Sequence, residues 1–168
     1  FGDERRTIIE VEGQANAAIT EVASLHEREP LAIAFTRNGT LKALPVDTFT
    51  PKGKNGDAVY TPVRGDEQLR QVVTATSQDY VLCVCSTGRV FQIATYRIPQ
   101  GTRSAKGEPV RKLLELAPHE EVVTVLPVES YEEDRYLVTF SKLGKVKKSP
   151  LSDYKTADVD GLQDMKLA

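Results

Sequence analysis

Residues 136–161 read YLVTFSKLGKVKKSPLSDYKTADVDG, and this stretch is the template that two earlier stretches of the chain repeat. Leu137, Val138 and Phe140 form a short apolar run, Lys142-Leu143-Gly144 supplies a turn, and Lys145-Val146-Lys147-Lys148 sets one apolar residue among cations. That is the pattern of a β-hairpin with a basic second strand. Gly144 serves where the turn demands positive φ, which costs any residue with a Cβ. Pro150 has no N–H for the ladder and ends the pairing.

The same writing appears at 31–56 (LAIAFTRNGTLKALPVDTFTPKGKNG) and 80–107 (YVLCVCSTGRVFQIATYRIPQGTRSAKG). The turn glycines Gly39, Gly88 and Gly144 are 49 and 56 residues apart, and a second glycine follows each, at Gly56, Gly107 and Gly161. Two places after the turn glycine stand Leu41, Val90 and Val146, expected to face inward, and one further on Lys42, Phe91 and Lys147, which make the opposite face basic in two copies of three. A period near 50 residues built of short strands predicts an all-β, propeller-like array, here two to three blades at about 31–79, 80–135 and 136–168.

The 168 residues are 40% apolar and 27% charged, ordinary for a globular chain that buries a core. The absence of Trp weighs against a WD-type propeller, and no apolar run is long enough to span a membrane. The start, FGDERRT, is charged and unlike a signal peptide. Cys83 and Cys85, two apart on one strand, face the same way and read as reduced core thiols, which favours a cytoplasmic compartment.

A net charge of −2 hides a pattern: the hairpin segments carry +3 (31–56), +5 (80–112) and +4 (136–155), and the connectors −2 (57–79), −6 (113–135) and −2 (156–168). Stacked around an axis, such repeats gather their cations along one rim. The loop Lys52-Gly53-Lys54-Asn55-Gly56, with its counterpart 101–107, joins charge to glycines that let backbone approach a phosphate. The bland reading is lysine on solvated strand faces.

Residues 1–30 carry −4 and read as a lead-in, in which Arg5-Arg6 is a short solvated charge cluster. Asn38-Gly39 marks the first turn. Ala58–Tyr60 and Val72–Ala75 are expected to be the remaining strands of the first unit, Val110–Leu116 and Val122–Leu126 those of the second. Val81–Cys85 reads as a strand covered on both faces. The third copy stops seven residues after Gly161, so the reading is a piece of a longer array, or one whose last unit borrows a strand, and self-association is expected because an open blade leaves an edge uncovered.

The chain resembles the C-terminal domain of the A subunit of bacterial type IIA topoisomerases, DNA gyrase or topoisomerase IV. FGDERRT resembles the junction where the catalytic core ends; FSKLGKVKKSPLSDY (140–154) is similar to the family's repeated signature, and Tyr96-Arg97-Ile98-Pro99 with Ser104–Val110 to its second repeat. The resemblance implies a β-pinwheel whose blades exchange strands, with duplex DNA bent around a basic rim to be presented for strand passage and supercoiling. It also implies partners: double-stranded DNA, the enzyme's ATPase subunit, and the catalytic core that precedes this domain in its own polypeptide. The family's box, roughly Gln-Arg-Arg-Gly-Gly-Lys-Gly, is matched loosely by Thr-Pro-Lys-Gly-Lys-Asn-Gly (50–56) and Gly-Thr-Arg-Ser-Ala-Lys-Gly (101–107).

No catalytic constellation assembles, and neither a cofactor nor a membrane partner is expected. His26 and His119 are isolated on predicted turns, the pairs Glu120-Glu121 and Glu132-Glu133 read as solvated connectors, and no P-loop occurs. Tyr60 in Ala-Val-Tyr-Thr-Pro resembles the family's cleavage tyrosine, but Val59 stands where an arginine is expected. The reading is a non-enzymatic DNA-binding module that contacts phosphates through Lys42, Lys52, Lys54, Arg89, Arg103, Lys106, Lys145, Lys147 and Lys148. The alternative is a propeller-type protein-interaction module for an acidic partner.

Overall fold

The computed structural model describes residues 25, 27–49, 67–102, 104–131 and 134–167. Among these the chain is all-β, with ten strands and four short 3-10 turns. The hairpins β1 (Pro30–Thr36) with β2 (Thr40–Pro45), β4 (Tyr80–Cys85) with β5 (Arg89–Ala94), and β8 (Tyr136–Phe140) with β9 (Val146–Pro150) coincide with the three sequence copies. Each turn closes on its glycine, whose N–H donates to Thr36 at 3.1 Å, Cys85 at 3.0 Å and Ser141 at 3.0 Å. Gly39, Gly88 and Gly144 stand at φ 72°, 80° and 80°, and no described residue other than glycine has positive φ. A two-residue Asn-Gly turn of the primed type needs two such residues, so the connection is the three-residue kind that ends in one left-handed glycine.

The units are completed by exchange. β3 (Leu69–Thr76) flanks β1 and β7 (Val122–Val128) flanks β4, as the apolar runs predict. The fourth strand of each sheet, however, comes from the following unit. β6 (Glu108–Pro109), beyond the second hairpin, returns to β2 with Leu41 opposite Glu108, and β10 (Leu162–Gln163), beyond the third, returns to β5 with Leu162 opposite Val90. The resulting orders are β3-β1-β2-β6 and β10-β5-β4-β7, with β8-β9 a separate pair. Both returns are anchored on a turn glycine: Val110 N–H donates to the Gly39 carbonyl at 2.9 Å, and the N–H groups of Asp164 and Met165 to the Gly88 carbonyl at 3.0 Å.

Alternation along β4 and β5 then divides the apolar residues between two cores. Val81, Cys83, Cys85, Phe91 and Ile93 face back onto Leu31, Ile33, Phe35 and Leu41 of the first unit. Tyr80, Leu82, Val90 and Ala94 face forward onto Leu151, Tyr154 and Ala157 of the third. The central strands are thus covered on both faces, as the run Val81–Cys85 requires. Both cysteines are free thiols in the first core, and burial first, with Glu120 adding to it, pushes Cys85 up to about 12.

Three expectations need correction. Val110–Leu116 is not a strand: the 3-10 turn Val110–Lys112 follows Pro109, whose φ of −57° starts that turn, and pairing is confined to Glu108–Pro109. Leu41 and Val90 are buried, but Val146 is 59% exposed, because the third unit has no described unit in front of it. The position after, read as an outward basic face, is buried at Lys42 and Phe91, since β2 and β5 are covered on both sides. Residues 1–24 of the lead-in 1–30, His26, the expected strand Ala58–Tyr60 and the pair Glu132-Glu133 lie outside the described residues.

Candidate nucleic-acid interface

The hairpin turns of consecutive units lie side by side. Asn38 and Gly39 of the first turn line one cleft with Glu120, Glu121 and Val122, and Ser86 of the second turn donates its N–H to the Glu121 carbonyl at 2.8 Å. The second turn is joined to the third hairpin through Asp164: its N–H is on the Gly88 carbonyl, and its carboxylate accepts from Thr139 (2.9 Å) and Lys147 (2.9 Å), which pair across β8 and β9. Each turn has a cation in it or beside it: Arg37 in the first, Arg89 just after the second, Lys142 and Lys145 at the third. Lys145 also donates to the Lys166 carbonyl at 3.1 Å, which ties the segment after β10 to the third hairpin.

Sequence-predicted cations fall into distinct settings. Lys106, Lys145 and Lys148 are exposed, Lys148 with its ammonium 3.9 Å from the centre of the Tyr136 ring. Lys147 is half exposed and tied to Asp164. Arg89 is not a free rim cation: it pairs with Glu120 at 2.9 Å, donates to the Asp160 carbonyl, and lies 4.5 Å from the Phe91 ring centre. Lys42 is 3% exposed, and its ammonium donates to the Ala105 (2.7 Å) and Thr102 (3.4 Å) carbonyls. Burial lowers its pKa, opposed by the charge of Glu67. It braces the 101–107 loop that carries Lys106 rather than facing solvent. Lys52, Lys54 and Arg103 lie outside the described residues.

The connector pair also needs correction. Glu121 is exposed, but Glu120 is fully buried, accepting from Arg89, the Thr87 hydroxyl and, at 3.1 Å, the Ala117 N–H. A buried carboxylate stands only when its oxygens are so occupied. His119 is exposed on its turn. Sequence reading missed Arg37, Arg70, Arg111, Lys142 and Lys166. Arg37 and Lys142 each stand two places before a turn glycine, a signal present in two copies of three; Arg70 and Arg111 are brought in by strand pairing and exchange and carry no such mark.

The family model of the DNA gyrase C-terminal domain, described as a beta-propeller, matches residues 79–129 and 135–167, half of the chain. The chain belongs to the DNA gyrase C-terminal domain family. Its fold is the family's, an all-β pinwheel of propeller-like units. The gyrase A protein of Staphylococcus aureus is 34% identical over 163 residues, 96% of this chain and 18% of that protein. The gyrase A protein of Mycobacterium leprae is 31% identical over 99% of this chain and 13% of that protein. The chain thus spans less than a fifth of these relatives. Among solved structures, the Escherichia coli ParC C-terminal domain superposes with a TM-score of 0.63 at 24% identity, covering 83% of this chain and 52% of that one. A DNA gyrase A C-terminal domain gives 0.60 at 20%, covering 78% and 43%. Among the described residues no helix is long and apolar enough to cross a membrane.

Proposed function

We propose that this chain is a non-catalytic module of a gyrase-like type IIA topoisomerase that binds duplex DNA through phosphates and bends it along the line of turns, for presentation to the enzyme's catalytic core and its ATPase partner. The observation that supports the reading is that, in a member of this family, the turns of consecutive units are joined side by side, and on this reading the cations they carry form one edge. Duplex DNA carries one charge per roughly 1.7 Å of axis, so an edge of regularly spaced cations matches it without reading bases. Bending 20–30 bp costs roughly 1–6 kcal/mol, which contacts from successive units offset. Lys106, Lys145 and Lys148 are the exposed contacts, and Lys52, Lys54 and Arg103 are added to them from the sequence alone; Lys42, Arg89 and Lys147 act by positioning.

The double variant Lys145→Ala/Lys148→Ala is expected to lower the slope of log affinity against log salt by about two on a duplex longer than 30 bp. Fluorescence anisotropy across a salt series measures it. An unchanged slope removes the third hairpin from the interface, and failure of the intact chain to promote circle ligation removes the bending.

A second contact is favoured by the front face of the third hairpin. Tyr136, Val138, Phe140 and Val146 are 51%, 44%, 74% and 59% exposed. They occupy the positions of Leu31, Ile33, Phe35 and Leu41, which the first unit buries against the second. An apolar sheet face of this kind fits another unit of the same repeat. Self-association of this chain is accordingly expected to run through it, and Phe140→Glu to reduce the light-scattering mass at high concentration to that of one chain; a mass independent of this residue would exclude the face.

A further inference from the structure

The cleft between the first and second units holds three arginines, of which the turn pattern accounts for Arg37 and not for Arg70 or Arg111. It holds about 200 Å³, less than the roughly 300 Å³ at which small-molecule pockets begin, and is walled by Arg37, Arg70 and Arg111 with Asn38 and Glu121. Arg37 lies in the first turn, one residue beyond β1, and Arg70 on the paired start of β3, where the Arg37 N–H donates to the Gln68 carbonyl at 2.8 Å. Arg70 lies 5.8 Å from the centre of the buried Phe35 ring, and neither it nor Arg37 has a side-chain hydrogen bond or ion pair among the described residues. Arg111 reaches the same cleft from the exchanged segment. Its guanidinium donates to the carbonyls of Ala117 (2.8 Å), Pro118 (3.2 Å) and Glu120 (2.5 Å).

These acceptors are uncharged, so Arg111 is fixed in place while its charge remains, with two of its five N–H donors unused. Of the two carboxylates that line the cleft among the described residues, Glu120 is occupied by Arg89, Thr87 and the Ala117 N–H, which leaves Glu121 against three guanidinium groups. Cations gathered with so little compensation repel one another, and an anion between them relieves that repulsion. Planar forked donors suit the oxygens of a phosphate better than a point charge does. The equivalent place between the second and third units lacks the cations: Ser86 stands for Arg37, Val123 for Arg70 and Met165 for Arg111.

We infer that the Arg37–Arg70–Arg111 cleft seats one or two backbone phosphates of the duplex, a discrete contact beside the exposed lysines. The inference rests on the DNA-binding reading above and adds a site to it. A phosphate there bridges the two units that strand exchange joins, so the duplex contact also reports on their docking.

The test uses the whole chain and a 40-bp duplex, comparing wild type with Arg37→Ala/Arg70→Ala, both exposed residues, and leaving Arg111 intact because it braces a loop. Loss of two phosphate contacts is expected to lower affinity on the order of fifty-fold at 0.1 M salt and the salt slope by about two, with an unchanged melting midpoint. Arg37→Lys/Arg70→Lys is expected to keep the slope. If wild type binds and the alanine variant matches it in affinity and slope, the cleft is not a phosphate seat and the lysine edge stands without it. If wild type binds no duplex even at low salt, the DNA-binding reading fails and takes the cleft with it. Poly-glutamate binding that depends on Arg37 and Arg70 while duplex binding does not would assign the cleft to an acidic protein and overturn the inference.

Discussion

Replacing Gly88 by alanine is expected to destabilise the chain by about 3 kcal/mol or more, whereas the same change at Gly39 or Gly144 costs about 1–2 kcal/mol. All three glycines occupy the same place in their turns and the same region of φ. They share the strain of putting a Cβ on a left-handed residue. Space distinguishes them. A Cβ at Gly39 or Gly144 meets nothing within 4 Å, but at Gly88 it would lie 2.0 Å from the Met165 carbonyl oxygen. That oxygen is backbone and cannot swing aside, so the exchanged strand must move. Moving it breaks the two hydrogen bonds by which Asp164 and Met165 hold the Gly88 carbonyl. Urea denaturation of the three variants measures the difference, and limited proteolysis of Gly88→Ala is expected to cleave beyond Thr156 first. Equal losses at the three sites would mean that β10 does not dock on the second turn.

The hairpins were legible because their signals are local. A glycine with an apolar run on each side fixes a turn and two strands, and Leu31–Phe35 and Val81–Cys85 announce burial by apolar content alone. Exchange is not local. Glu108–Pro109 and Leu162–Gln163 are two residues each, with no periodicity, and their partners lie 67 to 74 residues away; only the recurrence of a second glycine near each hints at them. Gly161 is needed because the Phe91 ring would lie 2.6 Å from a Cβ there, a contact invisible without the fold.

The candidate site was legible as charge and illegible as geometry. Lysine on a strand reads as solvated, and Lys145 and Lys148 are. Lys42 obeys the same pattern but is buried, because carbonyls of the 101–107 loop reach its ammonium. Arg89 reads as a rim cation, but the carboxylate that claims it lies 31 residues on. The acidic connectors are thus not merely solvated linkers: at Glu120 and Asp164 they supply the charges that hold basic strands in place, which explains why net charge alternates along the chain without all of it reaching solvent.

Asp164→Asn is expected to cost about 3 kcal/mol at neutral pH, and the cost is expected to shrink in acid. The carboxylate, 7% exposed, accepts from Tyr154 at 2.5 Å, Lys147 and Thr139 at 2.9 Å each, and Ser149 at 3.2 Å. Bonds to a charged acceptor are worth about 1.5–3 kcal/mol each, but they are not additive here and the half-exposed Lys147 is screened. An amide cannot accept from all four, and its own N–H groups would face donors. Burial alone would raise the carboxyl pKa; the bonds from Tyr154, Lys147 and Thr139, with the charge of Lys147, outweigh it and hold it below the ordinary value. A carboxyl depressed in the folded state takes up a proton more readily when unfolded. Its contribution is therefore complete above the unfolded pKa of about 3.9 and is lost as pH falls through the lower folded value. Chemical denaturation of wild type and Asp164→Asn at pH 7 and pH 3 tests this: the gap between their midpoints should narrow at pH 3, because wild type loses what the variant never had. A gap of equal size at both pH values would mean that the cluster acts by shape alone, and that the third hairpin is held to the second unit by its apolar contacts with Tyr80, Leu82 and Val90.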